Sequence, residues 1–257
     1  MKGELATLIG MCTHWLLALL VATLIIFSTA FTQFTWYGYT LWLPWLSDTS
    51  LAASVFLHLA TVLTPDGVDL VVLSPMAAFA AQVLVAFWMA FLLTLPFGVW
   101  RLLRYLAPAL RPSEMRALYY VCGSVSVLLA AGVYFSYAVI SPYTISILYT
   151  FTAPLGVTPL LGVSELISTF MALTLTTALM FTVPVGMVLL TWLGLLSARW
   201  WRDHARYAIV GFLAVSAIIT PDGTGVSMVL LTAPVTVLYG IGIIVSTRVE
   251  RQGTLFT

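Results

Sequence analysis

The chain has 257 residues, of which 61% are hydrophobic and only 7% charged, with a net charge of +1. Mean hydropathy is +1.08. A water-soluble domain carries about 25% charged residues, so this chain lacks the polar surface to cover a globule in water, and its solvent is the lipid bilayer.

A bilayer core about 30 Å thick takes about 20 apolar helical residues to cross. The sequence predicts such spans at roughly 14–34, 75–97, 117–140, 166–194, 206–220 and 226–246. The first could be mistaken for a cleaved leader, because Ser28, Thr29 and Ala30 follow an apolar run. The run continues into Phe31, Phe34, Trp36 and Tyr37, as a span ending at an interface does, and a retained first helix is expected. The apolar segment Leu51–Leu63 is too short to cross, carries His58 and lies between Asp48 and Asp66; it reads as an interfacial cap helix. The fifth span is short, ending before Pro221, which implies local thinning or packing against neighbours. No linker or internal repeat interrupts the chain, so 1–257 reads as a single all-α transmembrane domain.

Charge orients the spans. Lys2 precedes the first; Arg101, Arg104, Arg111 and Arg116 fall between the second and third. Arg199, Arg202 and Arg206 fall between the fourth and fifth, and Arg248 and Arg251 follow the sixth. The opposite face receives Asp48, Asp66, Asp69, Glu165 and Asp222, with no Lys or Arg. The positive-inside rule then places both termini in the cytoplasm.

The spans contain no Asp, Glu, Lys or Arg, only Gln82 and hydroxyls such as Thr174, Thr176, Thr177 and Thr182. Coupled carriers keep an ionisable group or a broken helix near the midplane, so a small-molecule carrier is disfavoured. A threonine-rich helix face more often joins helices than binds ligands. No hydrolase motif, phosphate-cradling glycine loop or metal-ligand spacing occurs, and no enzyme activity, cofactor, metal or nucleic-acid partner is expected. Cys12 and Cys122 read as free thiols beside the cytoplasmic ends of helices, and His14, His58 and His204 as lone interfacial residues.

Glu114 stands apart as the acid of the loop Arg111-Pro112-Ser113-Glu114-Met115-Arg116. On physical grounds it is either a first-turn carboxylate behind a Ser113 cap, or an anionic site for a cationic ligand at the membrane surface.

From this loop onward the sequence resembles the TatC family, receptor subunits of the twin-arginine protein translocase. The likeness runs through Leu95-Pro96, Trp100, Tyr105-Leu106-Ala107-Pro108-Ala109-Leu110 and Glu114. It continues with Gly132, Phe135, Tyr137 and Pro142, then Phe170-Met171-Ala172-Leu173 and Phe181-x-Val183-Pro184. Thr220-Pro221-Asp222 and Leu238-Tyr239-Gly240-Ile241-Gly242 complete it. The resemblance implies a six-helix TatC-like bundle with both termini cytoplasmic and short helices five and six. Glu114, Tyr105 and Pro108 would form the signal-peptide surface, with Glu114 receiving an arginine. Pro96, Pro142, Pro184, Pro221 and Asp222 would be structural family positions. The implied partners are single-span TatA/TatB-type subunits, twin-arginine signal peptides of folded cargo and further subunits of a homo- or hetero-oligomer. The implied location is a bacterial or archaeal cytoplasmic membrane, with the mitochondrial inner membrane as the alternative. This chain departs from the family where polar residues are usual: Gly10-Met11-Cys12 stands near the place of an N-terminal acid, and Ala77, Leu84, Thr182 and Gly240 replace polar residues. Those departures leave a second reading open, a TatC-fold structural or assembly subunit of a larger membrane complex.

Overall fold

The structure is a computed structural model; it describes residues 15–26, 30–36, 39–45, 51–65, 67–72, 74–106, 115–151, 160–220 and 225–251, with the backbone path alone at 30–45, 75 and 102–118. Pro108, Glu114, Pro221, Asp222, Cys12 and His14 lie outside those residues. The chain divides into two compact units, Met1–Met115 with Pro159–Thr169, and Arg116–Thr158 with Phe170–Thr257.

In the first unit, α1 covers Trp15–Ile26. The span expected over 14–34 is therefore shorter, because Ala30–Trp36 forms a strand, β1, paired antiparallel with β2, Tyr39–Trp45. Phe31, Thr32, Phe34, Thr35 and Trp36 are β-branched or aromatic residues that suit a pleated surface as well as an apolar helix. Helix α2, Leu51–Leu63, is the short apolar element expected there. Strand β3, Asp69–Val71, runs parallel to β4, Leu160–Gly162. Helix α3, Pro75–Leu106, is 32 residues long and keeps Pro96 inside it. Ser74 starts it, its Oγ accepting from the Ala77 N–H at 3.2 Å.

Helices α1 and α3 meet through Trp15. Its indole N–H donates to the Thr94 carbonyl at 3.2 Å, and its ring sits edge-on to Phe91. A Cβ on Gly98 would come within 2.8 Å of the Trp15 Nε1, so glycine is what admits the indole there.

In the second unit, α4 (Met115–Phe135), a π-helical turn (Ser136–Ile140) and α5 (Ser141–Thr150) form one continuous helical run. Pro142 explains the turn. Lacking an N–H, it cannot bond four residues back, and its ring would crowd that carbonyl in a regular α-helix. The wider turn, in which the Ser141 N–H reaches the Ser136 carbonyl, relieves this. Helix α6 spans Val163–Trp192, with Glu165 in its first turn, where the helix dipole favours an acid. Then follow α7 (Ala198–Asp203), α8 (Ala205–Ile219) and α9 (Val226–Arg251). The fifth span, α8, has 15 residues, short as expected; the sixth, α9, expected to be short, has 26.

The core of this unit is Ile140, Leu173, Met180, Phe181, Leu231 and Val235, flanked by Phe135, Phe212, Ile219, Leu230 and Leu238. Lipid is as apolar as leucine, so helices gain little by hiding apolar faces from it; close packing and hydrogen bonds must join them. Both are present. A Cβ on Gly132 would lie 2.7 Å from the Ala178 Cα, and one on Gly242 2.9 Å from the Met187 sulfur and 3.2 Å from the Pro184 Cα. Buried hydroxyl pairs join Ser136 to Thr174 and Ser216 to Thr232, each at 3.1 Å. Most other hydroxyls, such as Thr177 and Thr191, bond a carbonyl four residues back in their own helix.

Candidate functional site

Two groups of residues bear on function. The first is the surface expected from the sequence. Tyr105 belongs to the last turn of α3, one residue before its end, and Glu114 immediately precedes Met115, the first residue of α4. The acid thus stands at the N-terminus of a helix, and a carboxylate there is stabilised by the dipole whichever role it plays. Among the described side chains nearest in sequence, Arg101 lies over the Phe97 ring at 5.6 Å, one helical turn back. Of the structural positions, Pro96 is inside α3, Pro142 follows the π turn and Pro184 is buried inside α6 against α9.

The positions that depart from the family pattern are satisfied locally. The Thr182 hydroxyl donates to the Leu179 carbonyl of its own helix at 2.7 Å. Leu84 is an exposed apolar residue, and a Cβ on Gly240 would meet nothing within 4 Å.

The second group is a corner that the sequence gives little sign of, because its contacts join residues far apart. Helix α7 begins with a double cap: the Ser197 Oγ accepts from the Trp200 N–H at 3.2 Å, and the Glu250 Oε2 accepts from the Ala198 N–H at 3.0 Å. The Tyr239 hydroxyl donates to the Trp201 carbonyl at 2.8 Å, and the Trp201 indole N–H donates to the Thr191 hydroxyl at 3.0 Å. A six-residue helix is thereby fastened to both α6 and α9. The Trp200 and His204 rings stack at 4.1 Å, and the His204 Nδ1 is 2.9 Å from the Trp200 carbonyl. Ser197 before Ala198 was the one local signal for this element; Glu250, 52 residues away, had none.

No group of three or more His, Cys, Asp or Glu among the described residues could hold a metal ion. Four helical runs are long and apolar enough to cross a membrane: Met76–Arg101, Tyr119–Thr150, Val163–Trp192 and Val226–Arg251. Trp15–Ile26, Leu51–Leu63 and Ala205–Ile219 are shorter apolar helices.

Long apolar helices joined by small residues and buried hydroxyls define a multi-pass membrane protein, and its fold is that of a known receptor. The crystal structure of the twin-arginine translocase receptor TatC is similar with a TM-score of 0.76 at 24% identity, covering 96% of this chain and 100% of that one. The family model for the Sec-independent protein translocase protein TatC matches residues 5–234. The Sec-independent protein translocase protein TatC of the archaeon Cenarchaeum symbiosum is 35% identical over 203 residues, 79% of this chain and 77% of that protein. Its counterpart in Escherichia coli K12 is 30% identical over 182 residues, 71% and 70% of the two chains. The chain belongs to the TatC family.

Proposed function

We propose that this chain is the multi-pass core and receptor subunit of a twin-arginine translocase, binding twin-arginine signal peptides at its cytoplasmic face. Folded cargo then crosses the membrane with TatA/TatB-type single-span partners, driven by the proton-motive force. The observation that carries this reading is the family match over residues 5–234, which includes the loop bearing Glu114. An acid at the membrane surface can pair with a guanidinium through two parallel hydrogen bonds, and Glu114 with Tyr105 and Pro108 forms the surface assigned to that contact. Relatives in an archaeon and in bacteria favour a prokaryotic cytoplasmic membrane over an organellar one.

The test is complementation of export in a strain lacking its own receptor subunit, together with crosslinking of a peptide bearing two arginines. Export is restored by the native chain, and Glu114→Gln weakens crosslinking at Tyr105. Unchanged crosslinking in that variant removes Glu114 from the mechanism.

A second reading has its own support. Thr182 bonds only within its helix, and Gly240 and Leu84 offer no polar group where the family usually does. A TatC-fold assembly subunit fits those residues. Stable co-purification with a larger complex, joined to failure of the export test, would decide for it.

A further inference from the structure

The corner around α7 carries an excess of positive charge beside exposed apolar side chains. Arg199, Arg202 and Arg206 are exposed and spaced three and four residues apart, on two helices separated by His204 alone. The Glu250 contact to Ala198 brings the last turn of α9, with Arg248 and Arg251, to the same corner. Against these five arginines stand two acids, and both are partly engaged. Glu250 is turned to the backbone of α7, and Asp203 meets Arg199 only at 4.0 Å. That pair is worth little, since its side chains are 89% and 62% exposed. Arg206 gives one donor to the Tyr207 hydroxyl at 3.0 Å and keeps the rest of its fork. Arg202 has no ion-pair partner among the described residues.

These cations are held by a fixed frame. The bonds from Glu250, Tyr239 and Thr191 fasten α7 at both ends, so little conformational freedom remains to be lost when a ligand binds. Leu195 and Trp200 beside it are exposed, and Tyr207 opens the next helix. Trp and Tyr with arginine at the end of an apolar helix suit the level of lipid headgroups.

We propose that this corner is a docking site for anionic phospholipid, in which Arg199, Arg202 and Arg206 take the headgroup phosphate and Leu195 and Trp200 lie against the acyl chains. Guanidinium matches phosphate geometry with paired hydrogen bonds, and the neighbouring apolar side chains favour a lipid over a free anion. The site is independent of the receptor reading, since it uses none of that surface.

Purified protein in neutral detergent, titrated with phosphatidylglycerol or phosphatidylcholine, tests it by the Tm and by mass spectrometry of retained lipid. Phosphatidylglycerol raises the Tm and is retained in preference, and each Arg→Gln change at 199, 202 or 206 weakens that preference by about fivefold. The Arg→Lys changes keep part of it. If the triple glutamine variant does not fold, R202Q alone carries the test, since that side chain makes no ion pair within the protein. Equal retention of both lipids by the native chain overturns the proposal. So does an undiminished preference in R202Q, or displacement of the lipid by millimolar inorganic phosphate, which would mark a simple anion site.

Discussion

The Ser136 Oγ lies 3.1 Å from the Thr174 Oγ1, and both residues are fully buried where the π turn meets α6. The Ser136 hydroxyl is also 3.3 Å from that of Ser141, so one serine ties the two ends of the π turn to each other and to a neighbouring helix. In lipid such bonds hold helices that no hydrophobic force draws together. Thr174→Val, which keeps the shape and removes the acceptor, is expected to lower stability by about 1 kcal/mol. Ser136→Ala should do the same, and the double variant should lose less than the sum of the two. Unfolding in detergent, run as a double-mutant cycle, measures the coupling.

Thr144 makes the opposite case. It is fully buried, and its hydroxyl has no hydrogen-bond partner among the described residues. An unpaired buried hydroxyl is a liability, so Thr144→Val is expected to leave the Tm unchanged or raise it. A clear fall in Tm would mean that an ordered water satisfies this group.

Gly132 and Gly211 form a matched pair. A Cβ on Gly132 meets the Ala178 Cα at 2.7 Å, a backbone contact that cannot swing away, whereas one on Gly211 meets nothing within 4 Å. Gly132→Ala is expected to destabilise by about 1–3 kcal/mol through separation of α4 from α6. Gly211→Ala should be neutral or mildly stabilising. Folded yield and Tm in the same detergent compare them.

The Glu250 cap can be removed without touching the membrane spans. Glu250→Ala leaves the Ala198 N–H without its acceptor and is expected to cost about 1 kcal/mol in the local stability of α7; Glu250→Gln, which keeps an oxygen, should cost less. Hydrogen exchange at Ala198 and its neighbours reads the fraying. Tyr239→Phe, which removes the donor to the Trp201 carbonyl, should raise exchange in the same stretch.

Much of the fold is legible in the sequence because hydropathy and charge act over whole helices. The runs beginning at Pro75, Val163, Ala205 and Val226 lie within a few residues of expectation. Misplaced boundaries have physical reasons. Hydropathy alone does not separate an apolar strand from the end of an apolar helix, so the run from Trp15 to Phe34 hides the change from α1 to β1. The sixth helix outruns its apolar stretch because Arg248 and Arg251 extend it by a polar turn, where cations suit the C-terminal dipole. Pro142 hints at irregularity, yet only the placement of Ser136, Ser141 and Thr174 reveals how it is absorbed. As for the site, Glu114 is conspicuous as an acid in an arginine-rich loop, whereas Glu250 reads as one polar residue near a terminus until α9 brings it to α7.

The π turn also makes residue count part of what this helical run encodes. Deleting one residue between Ser136 and Ile140 would leave a stretch able to close as ordinary α-helix, and everything beyond would rotate by about 100°. Ile145 would come to stand where Thr144 is now buried, Ser146 would take the buried place of Ile145, and Thr144 would move to the exposed station of Tyr143. Pro142 would meanwhile face a carbonyl it can neither bond nor clear. Length changes that a surface loop absorbs would here reassign which side chains face the interior.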